Sequence, residues 1–273
     1  MLIFRNPRPI CFALFCGFTP TLSSAHELWI EPERWRFEKG DEIRADLLNG
    51  ENFSGSKLAW IHNNVSRADV AFGPIQLQVS GRMGDRPALV TEAQQDGLAI
   101  VIHETTPSRI SYKTWEKFQK FVDHKDLGIT RTDHEAKGHP PEGFTESYTR
   151  HTKSLIAIGD GAGVDRAFGL QTEIVALTNP FADGFNNDMQ IQLLYQGRAR
   201  LNTQVEIFER APDETVSVST VQTDNAGIAR IPVKPGHTYL FDAVVIRPGS
   251  QGNAIYDTLW AGLSFHVPNN VPD

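Results

Sequence analysis

Ile75-Gln76-Leu77-Gln78-Val79 alternates apolar and polar side chains without a break, the period of a strand with one buried face. Leu58-Ala59-Trp60-Ile61-His62 upstream and Leu98-Ala99-Ile100-Val101-Ile102-His103 downstream read as two further strands. Before them, Trp29, Trp35, Phe37, Ile43 and Leu47 sit amid polar residues, with turns at Lys39-Gly40-Asp41 and Asn49-Gly50. Short strands and turns at this spacing predict an antiparallel sandwich or barrel. Past the linker Gly159-Asp160-Gly161-Ala162-Gly163 the same rhythm gives strands at 171–177, 189–195, 203–208, 217–222, 228–232, 238–246 and 259–267. Seven strands in about 100 residues is the size of one immunoglobulin-like or transthyretin-like sandwich.

Residues 111–158 break the rhythm. Trp115, Phe118, Phe121 and Val122 recur at helical spacing behind Ser111 and Thr114 and ahead of Gly128, which predicts a helix. Gly138-His139-Pro140-Pro141-Glu142-Gly143 is loop. Phe144, Tyr148, His151 and Leu155 then align at i, i+4, i+7 and i+11 as a second helical face. On it Glu146 and Arg150 would pair, Tyr148 and His151 would face the body, and Lys153 would lie on the surface. The expectation is a mainly β protein of two antiparallel β-sandwich domains. Residues 26–165 form the first, carrying the helical insertion at about 111–158, and residues 166–273 form the second.

Residues 1–25 read as a signal peptide. Arg5 and Arg8 precede a short apolar run, and Ser23-Ser24-Ala25 places small residues before His26. That run is too short to span a bilayer, and no other stretch reaches 18 consecutive apolar residues. The chain has 273 residues, 26 Lys+Arg, 33 Asp+Glu, nine His and two Cys. Cleavage after Ala25 leaves 248 residues, no Cys, all nine His and a formal charge of −9 from 24 basic and 33 acidic side chains. Disulfides, Cys nucleophiles and thiolate metal sites are then excluded, and the acidity argues against nucleic acid as a partner. The expected location is the periplasm, with no membrane span after cleavage.

Cleavage before His26 also creates chemistry. A free α-amine and the Nδ1 of the same His can chelate one ion, a nitrogen set suited to Cu(II) or Ni(II). His62, His103 and Glu104, on strands, are the candidates to complete such a site, with Glu27 and Glu31 close in sequence. His124, His134, His139 and His151 cluster within 28 residues, but no His-Glu-x-x-His spacing appears. Elbow, P-loop and dinucleotide motifs are also missing, and the chain is expected not to be an enzyme.

Ala25-His26-Glu27-Leu28-Trp29-Ile30-Glu31-Pro32 resembles the Ala-His-(Asp/Glu)-x-Trp-x-Glu-Pro opening of a large bacterial family of unknown function, once labelled nickel-uptake substrate-specific components. Asn49-Gly50-Glu51-Asn52-Phe53-Ser54-Gly55 is similar to its Gly-Glu-x-Phe-x-Gly turn, with Asn49 where the family has Val or a similar residue, and Glu146 through Leu155 is similar to its Glu-x-Tyr-x-Arg-x-x-Lys-x-Leu helix. Tyr256-Asp257-Thr258-Leu259-Trp260 through Phe265 resembles its last strands. The resemblance implies an exported β protein with a carboxypeptidase-regulatory-like or transthyretin-like second half. It matches His26, Tyr148, Arg150 and Lys153 to family positions and carries no reaction. The resulting expectation is a periplasmic, non-enzymatic binding protein for nickel, cobalt or copper ion, with a metal ion or a metal transporter component as partner. The alternative is a structural module that meets a protein or glycan without metal.

Overall fold

The computed structural model describes residues 26–250 and 252–269; the expected signal peptide lies outside them. The chain opens with β1 (Glu27–Pro32), β2 (Arg36–Phe37), β3 (Glu42–Glu51) and β4 (Ser54–Leu58), then β5 (Val65–Phe72), β6 (Ile75–Gln78) and β7 (Leu89–Glu92). β8 (Gly97–Thr105) and β9 (Ser108–Tyr112) lead into helices α1 (Trp115–His124) and α2 (Arg131–Ala136), followed by the long strand β10 (Phe144–Ile158). The remainder is strand: β11 (Thr172–Ala176), β12 (Asp188–Tyr195), β13 (Arg198–Ala199), β14 (Gln204–Arg210), β15 (Val216–Gln222), β16 (Ile228–Pro232), β17 (Thr238–Pro248) and β18 (Ala254–His266). All seven strands predicted beyond residue 170 form, as does the helix at Trp115.

A ten-stranded sheet in the order β15-β14-β17-β18-β10-β8-β5-β6, with β2 and β9 also on β10, runs through the middle of the protein. It takes strands from both sides of residue 165. They join through a parallel pairing in which Glu146 to Ser154 of β10 lie beside Tyr256 to Ser264 of β18. One face packs Val70, Ala99, Val101, Ile156 and Ile158 against Ile30, Ile43, Ala45 and Leu47 of the β1-β3-β4 sheet, where β7 joins β3. Ile102, Leu155, Phe241 and Leu263 on the other face pack against Ile174, Ile191 and Leu193 of the β11-β12-β13 sheet, where β16 joins β12. The central sheet is thus shared by two sandwich interfaces, each burying one of its faces.

The predicted second helix at 144–155 is a correction: the segment is β10. A strand buried on both faces loses its two-residue alternation, so Phe144, Tyr148, His151 and Leu155 mimic a helical stripe. The expected Glu146–Arg150 helix pair does not exist either. Glu146 is buried and accepts hydrogen bonds from the Tyr112 hydroxyl (2.8 Å) and from Thr258. Lys153, expected on the surface, is 1% exposed. Its ammonium donates to Asp165 at 3.0 Å and Glu173 at 3.1 Å. Backbone N–H groups of Arg166 and Ala176 hold Asp165, and those of Phe168 and Leu170 hold Glu173. That set of bonds ties β10 to the linker as a structural clamp.

Candidate functional site

The motif around His26 builds one wall of an acidic cleft. β1 alternates, so Glu27, Trp29 and Glu31 share a face. Trp29 is 1% exposed, packs edge-on against Phe53 with centroids 5.7 Å apart, and donates its Nε1–H to Glu31 at 2.9 Å. The other Glu31 oxygen accepts from Arg210 Nη2 at 2.7 Å, which carries the contact to β14. The similarity at Trp29 and Glu31 therefore has a packing reason.

β3 and β4 form a tight hairpin whose central residues, Asn52 and Phe53, have φ of 51° and 58°. Two left-handed residues in a two-residue turn match the natural strand twist. Gly50 and Gly55 pair directly across this hairpin. A Cβ on Gly55 would meet Trp29 Cη2 and the Asn49 carbonyl oxygen at 2.8 Å each. The glycines thus let the hairpin close over Trp29, and the turn places Glu51 beside His26. His26 Nε2 lies 3.7 Å from Glu51 Oε1, with the imidazole about half exposed. Arg150 Nη2 donates to the His26 carbonyl at 2.5 Å, and its guanidinium lies 4.6 Å from the Tyr148 ring centre and 5.6 Å from that of Trp260. The backbone of His26 is therefore anchored to β10.

Glu51 and Asn52 line two adjoining depressions. One holds His26, Asn49 and Gly50. The other, a cleft of about 260 Å³, is lined by Glu27, Glu51, His124, Glu206, Phe208 and Val218. His124, in the last turn of α1, places Nε2 2.7 Å from Glu206 Oε1. Its pKa is raised, first by that bond to Glu206 and despite partial burial.

Behind the cleft lies a buried ionic cluster. Lys125 donates to Glu27 at 3.1 Å, to Asp242 at 2.9 Å and to Glu206. All four side chains are 3–4% exposed, and the Lys125 ammonium sits 4.9 Å from the Trp260 ring centre. Burial pushes Glu27 up to about 7, with Lys125 opposing and Asp242 and Glu206 adding to the rise. Asp242 is also raised, chiefly by burial. For Lys125, burial favours the neutral amine, but the three carboxylates outweigh it and raise its pKa. Glu206 feels burial too, yet His124 and Lys125 hold it below the ordinary value. Burial first, and then the crowding of three carboxylates around one ammonium, explain why Glu27 and Asp242 hold protons more tightly.

Of the four residues predicted to bind metal, His26 alone lines these depressions. His62 is exposed in a 3-10 turn, edge-on to Trp60 with centroids 6.1 Å apart. His103 is buried on β8 with neither ring nitrogen bonded, and burial pushes its pKa down to about 4. Glu104 follows it on the same strand, and consecutive strand residues point to opposite faces. It faces His151, whose Nε2 is 3.8 Å away. Of the four His expected in the insertion, His134 is buried in α2 with Nδ1 2.8 Å from the Tyr256 hydroxyl and Nε2 2.8 Å from the Pro140 carbonyl. It is a structural residue.

Sequence reasoning missed Lys125, Glu206 and Asp242. One signal was legible: Asp242 is the single charge in Thr238-Tyr239-Leu240-Phe241-Asp242-Ala243-Val244-Val245-Ile246. A lone carboxylate inside a buried strand demands a partner. Among the described residues, Glu27, Glu206 and Asp242 are the one group of three potential metal-ligating side chains whose ligand atoms lie within 4.8 Å of one another. The ammonium of Lys125 already stands where they converge.

Comparison with curated proteins gives no match. A solved structure of a tetra-tandem repeat in the extending region of a large adhesion protein is similar at 11% identity over 88% of this chain and 49% of that one, with a TM-score of 0.23. The chain thus spans about half the length of that structure. The profile of a family described as a domain of unknown function, DUF4198, matches residues 23–247. With most of its length matched, the chain belongs to this family of unknown function.

Proposed function

We propose that this protein is an exported, non-enzymatic binding protein that captures a divalent transition-metal ion, nickel, cobalt or copper, at His26. The observation that carries this reading is the His26–Glu51 pair at the edge of a cleft whose wall holds His124 and Glu206. Nε2 of His26 faces the carboxylate, which leaves Nδ1, the nitrogen that closes a chelate ring with the α-amine once the chain begins at His26. A carboxylate on the far ring nitrogen orients such a ligand and raises its basicity. The acidic surroundings favour a cation over an anion. The resemblance to proteins once labelled nickel-uptake components agrees with this reading, as does the lack of Cys beyond residue 25. The buried carboxylates of Glu27 and Asp242 belong to Lys125 and take no part.

Isothermal titration of chain starting at His26 with Ni(II), Co(II) and Cu(II) tests the reading. Two controls accompany it, His26→Ala and the same chain with one residue added ahead of His26. Binding at one site, weakened by about ten- to a hundredfold in both controls, is expected for loss of a ligand or its support. Equal binding by all three proteins refutes it.

A further inference from the structure

β15 ends the central sheet: it pairs with β14 in unbroken register and, among the described residues, has no strand on its outer side. Its sequence, Val216-Ser217-Val218-Ser219-Thr220-Val221-Gln222, contains no charge, no Pro and no Gly, and none of the seven residues is buried. Edge strands are ordinarily blunted by Lys, Pro, a bulge or short length. β15 has none of these devices, so its outer N–H and C=O groups form an open template for pairing.

The edge borders the acidic cleft. Val218 pairs with Phe208, and both line the cleft, while Thr220 pairs with Glu206, another cleft residue. The face of β15 bearing Val218 and Thr220 is therefore the face turned to Glu27, Glu51 and Glu206. A strand added to β15 would lie about 4.8 Å away and would present every second side chain on that same face. We propose that β15 binds an extended segment of a partner protein by strand addition, and that this segment presents a lysine or arginine to the cleft.

Charge decides the occupant. The cleft is lined by the carboxylates of Glu27, Glu51 and Glu206 against the one imidazole of His124, and Glu51, about a third exposed, is the carboxylate among them that Lys125 does not hold. Main-chain pairing supplies affinity for any extended segment, and the carboxylates select a basic one. A second copy of this chain fits poorly: β15 carries no basic residue to offer, and a chain of net charge −7 repels its own copy.

The test uses fluorescence polarisation with a labelled seven-residue peptide that alternates valine and threonine and carries one central lysine. Its counterpart carries glutamate instead. EDTA is present throughout, so failure here leaves the metal reading untouched and failure of the metal reading leaves this one untouched. The lysine peptide is expected to bind at least about tenfold more tightly than the glutamate peptide. Val218→Lys, an exposed change that sets an ammonium on the edge, should abolish binding, and Glu51→Gln should weaken it several-fold. Circular dichroism confirms that both variants fold. No binding of the lysine peptide up to about 1 mM, equal binding of the two peptides, or binding unchanged by Val218→Lys each overturns the proposal. So does a dimer in sedimentation that Val218→Lys dissociates, which would make the second copy the occupant.

Discussion

Replacing Lys125 by Met isolates the energetics of the ionic cluster. The substitution keeps most of the side-chain volume beside Trp260 and Phe208 and removes the one ammonium that Glu27, Glu206 and Asp242 share. Breaking a buried pair by removing one partner costs about 3–5 kcal/mol, because the remaining charge is stranded. For a domain of this size that corresponds to a fall in Tm of about 6–20 °C. The loss depends on pH in a definite direction. The carboxylates escape the penalty by binding protons, and Glu27 already does so near pH 7, well above its ordinary 4.5. Its folded pKa is raised, so its contribution is fully favourable below the unfolded value and is lost as pH rises through the folded one. Lys125→Met should therefore be most destabilised at pH 8 and recover part of the loss at pH 5. Guanidinium titrations of both proteins at the two pH values measure it. A loss below about 1 kcal/mol at pH 8, within the range of an exposed salt bridge, refutes the reasoning, as does an identical loss at both pH values.

Three further outcomes follow from the same physics. Glu146 is held up to about 7 by burial, with Thr258 and Tyr112 hydrogen bonds only partly offsetting it. Glu146→Gln should gain stability relative to wild type as pH rises from 5 to 8, and a difference constant across urea titrations at those pH values contradicts this. His103 and His151 are both pushed down to about 4 by burial, so the stability they retain above pH 6.5 is lost as pH falls through 4. His103→Leu, which removes two unbonded nitrogens, should lower the acid-unfolding midpoint seen by circular dichroism; a higher midpoint sinks the account. Gly55→Ala forces a Cβ to within 2.8 Å of Trp29 and should cost about 1–3 kcal/mol as overpacking, read by thermal melts. A neutral change would show that the β3–β4 turn closes less tightly over Trp29.

Local pattern made much of the fold legible. The seven strands after residue 170 and the helix at Trp115–His124 lie where runs of strand-forming residues between turns and helical spacing placed them, because those signals are carried by neighbours along the chain. β10 was misread for the opposite reason. It crosses the centre of a sheet covered on both sides, and its Glu146, His151 and Lys153 are buried beside partners from other strands. Nothing within fifteen residues of sequence encodes that double burial.

The candidate site divides along the same line. The sequence by itself determined the residues of the His26 motif, the glycines of the β3–β4 turn and the absence of Cys beyond residue 25. Each depends on neighbours a few positions away or on composition alone. Only the tertiary structure decided that Glu51 stands beside His26, that His124 meets Glu206, and that Lys125 gathers Glu27, Glu206 and Asp242 from three strands. Those partners lie 98, 81 and 117 residues from Lys125 along the chain. Coulomb energy and desolvation act through space within a few ångströms, and sequence separation carries no trace of that distance.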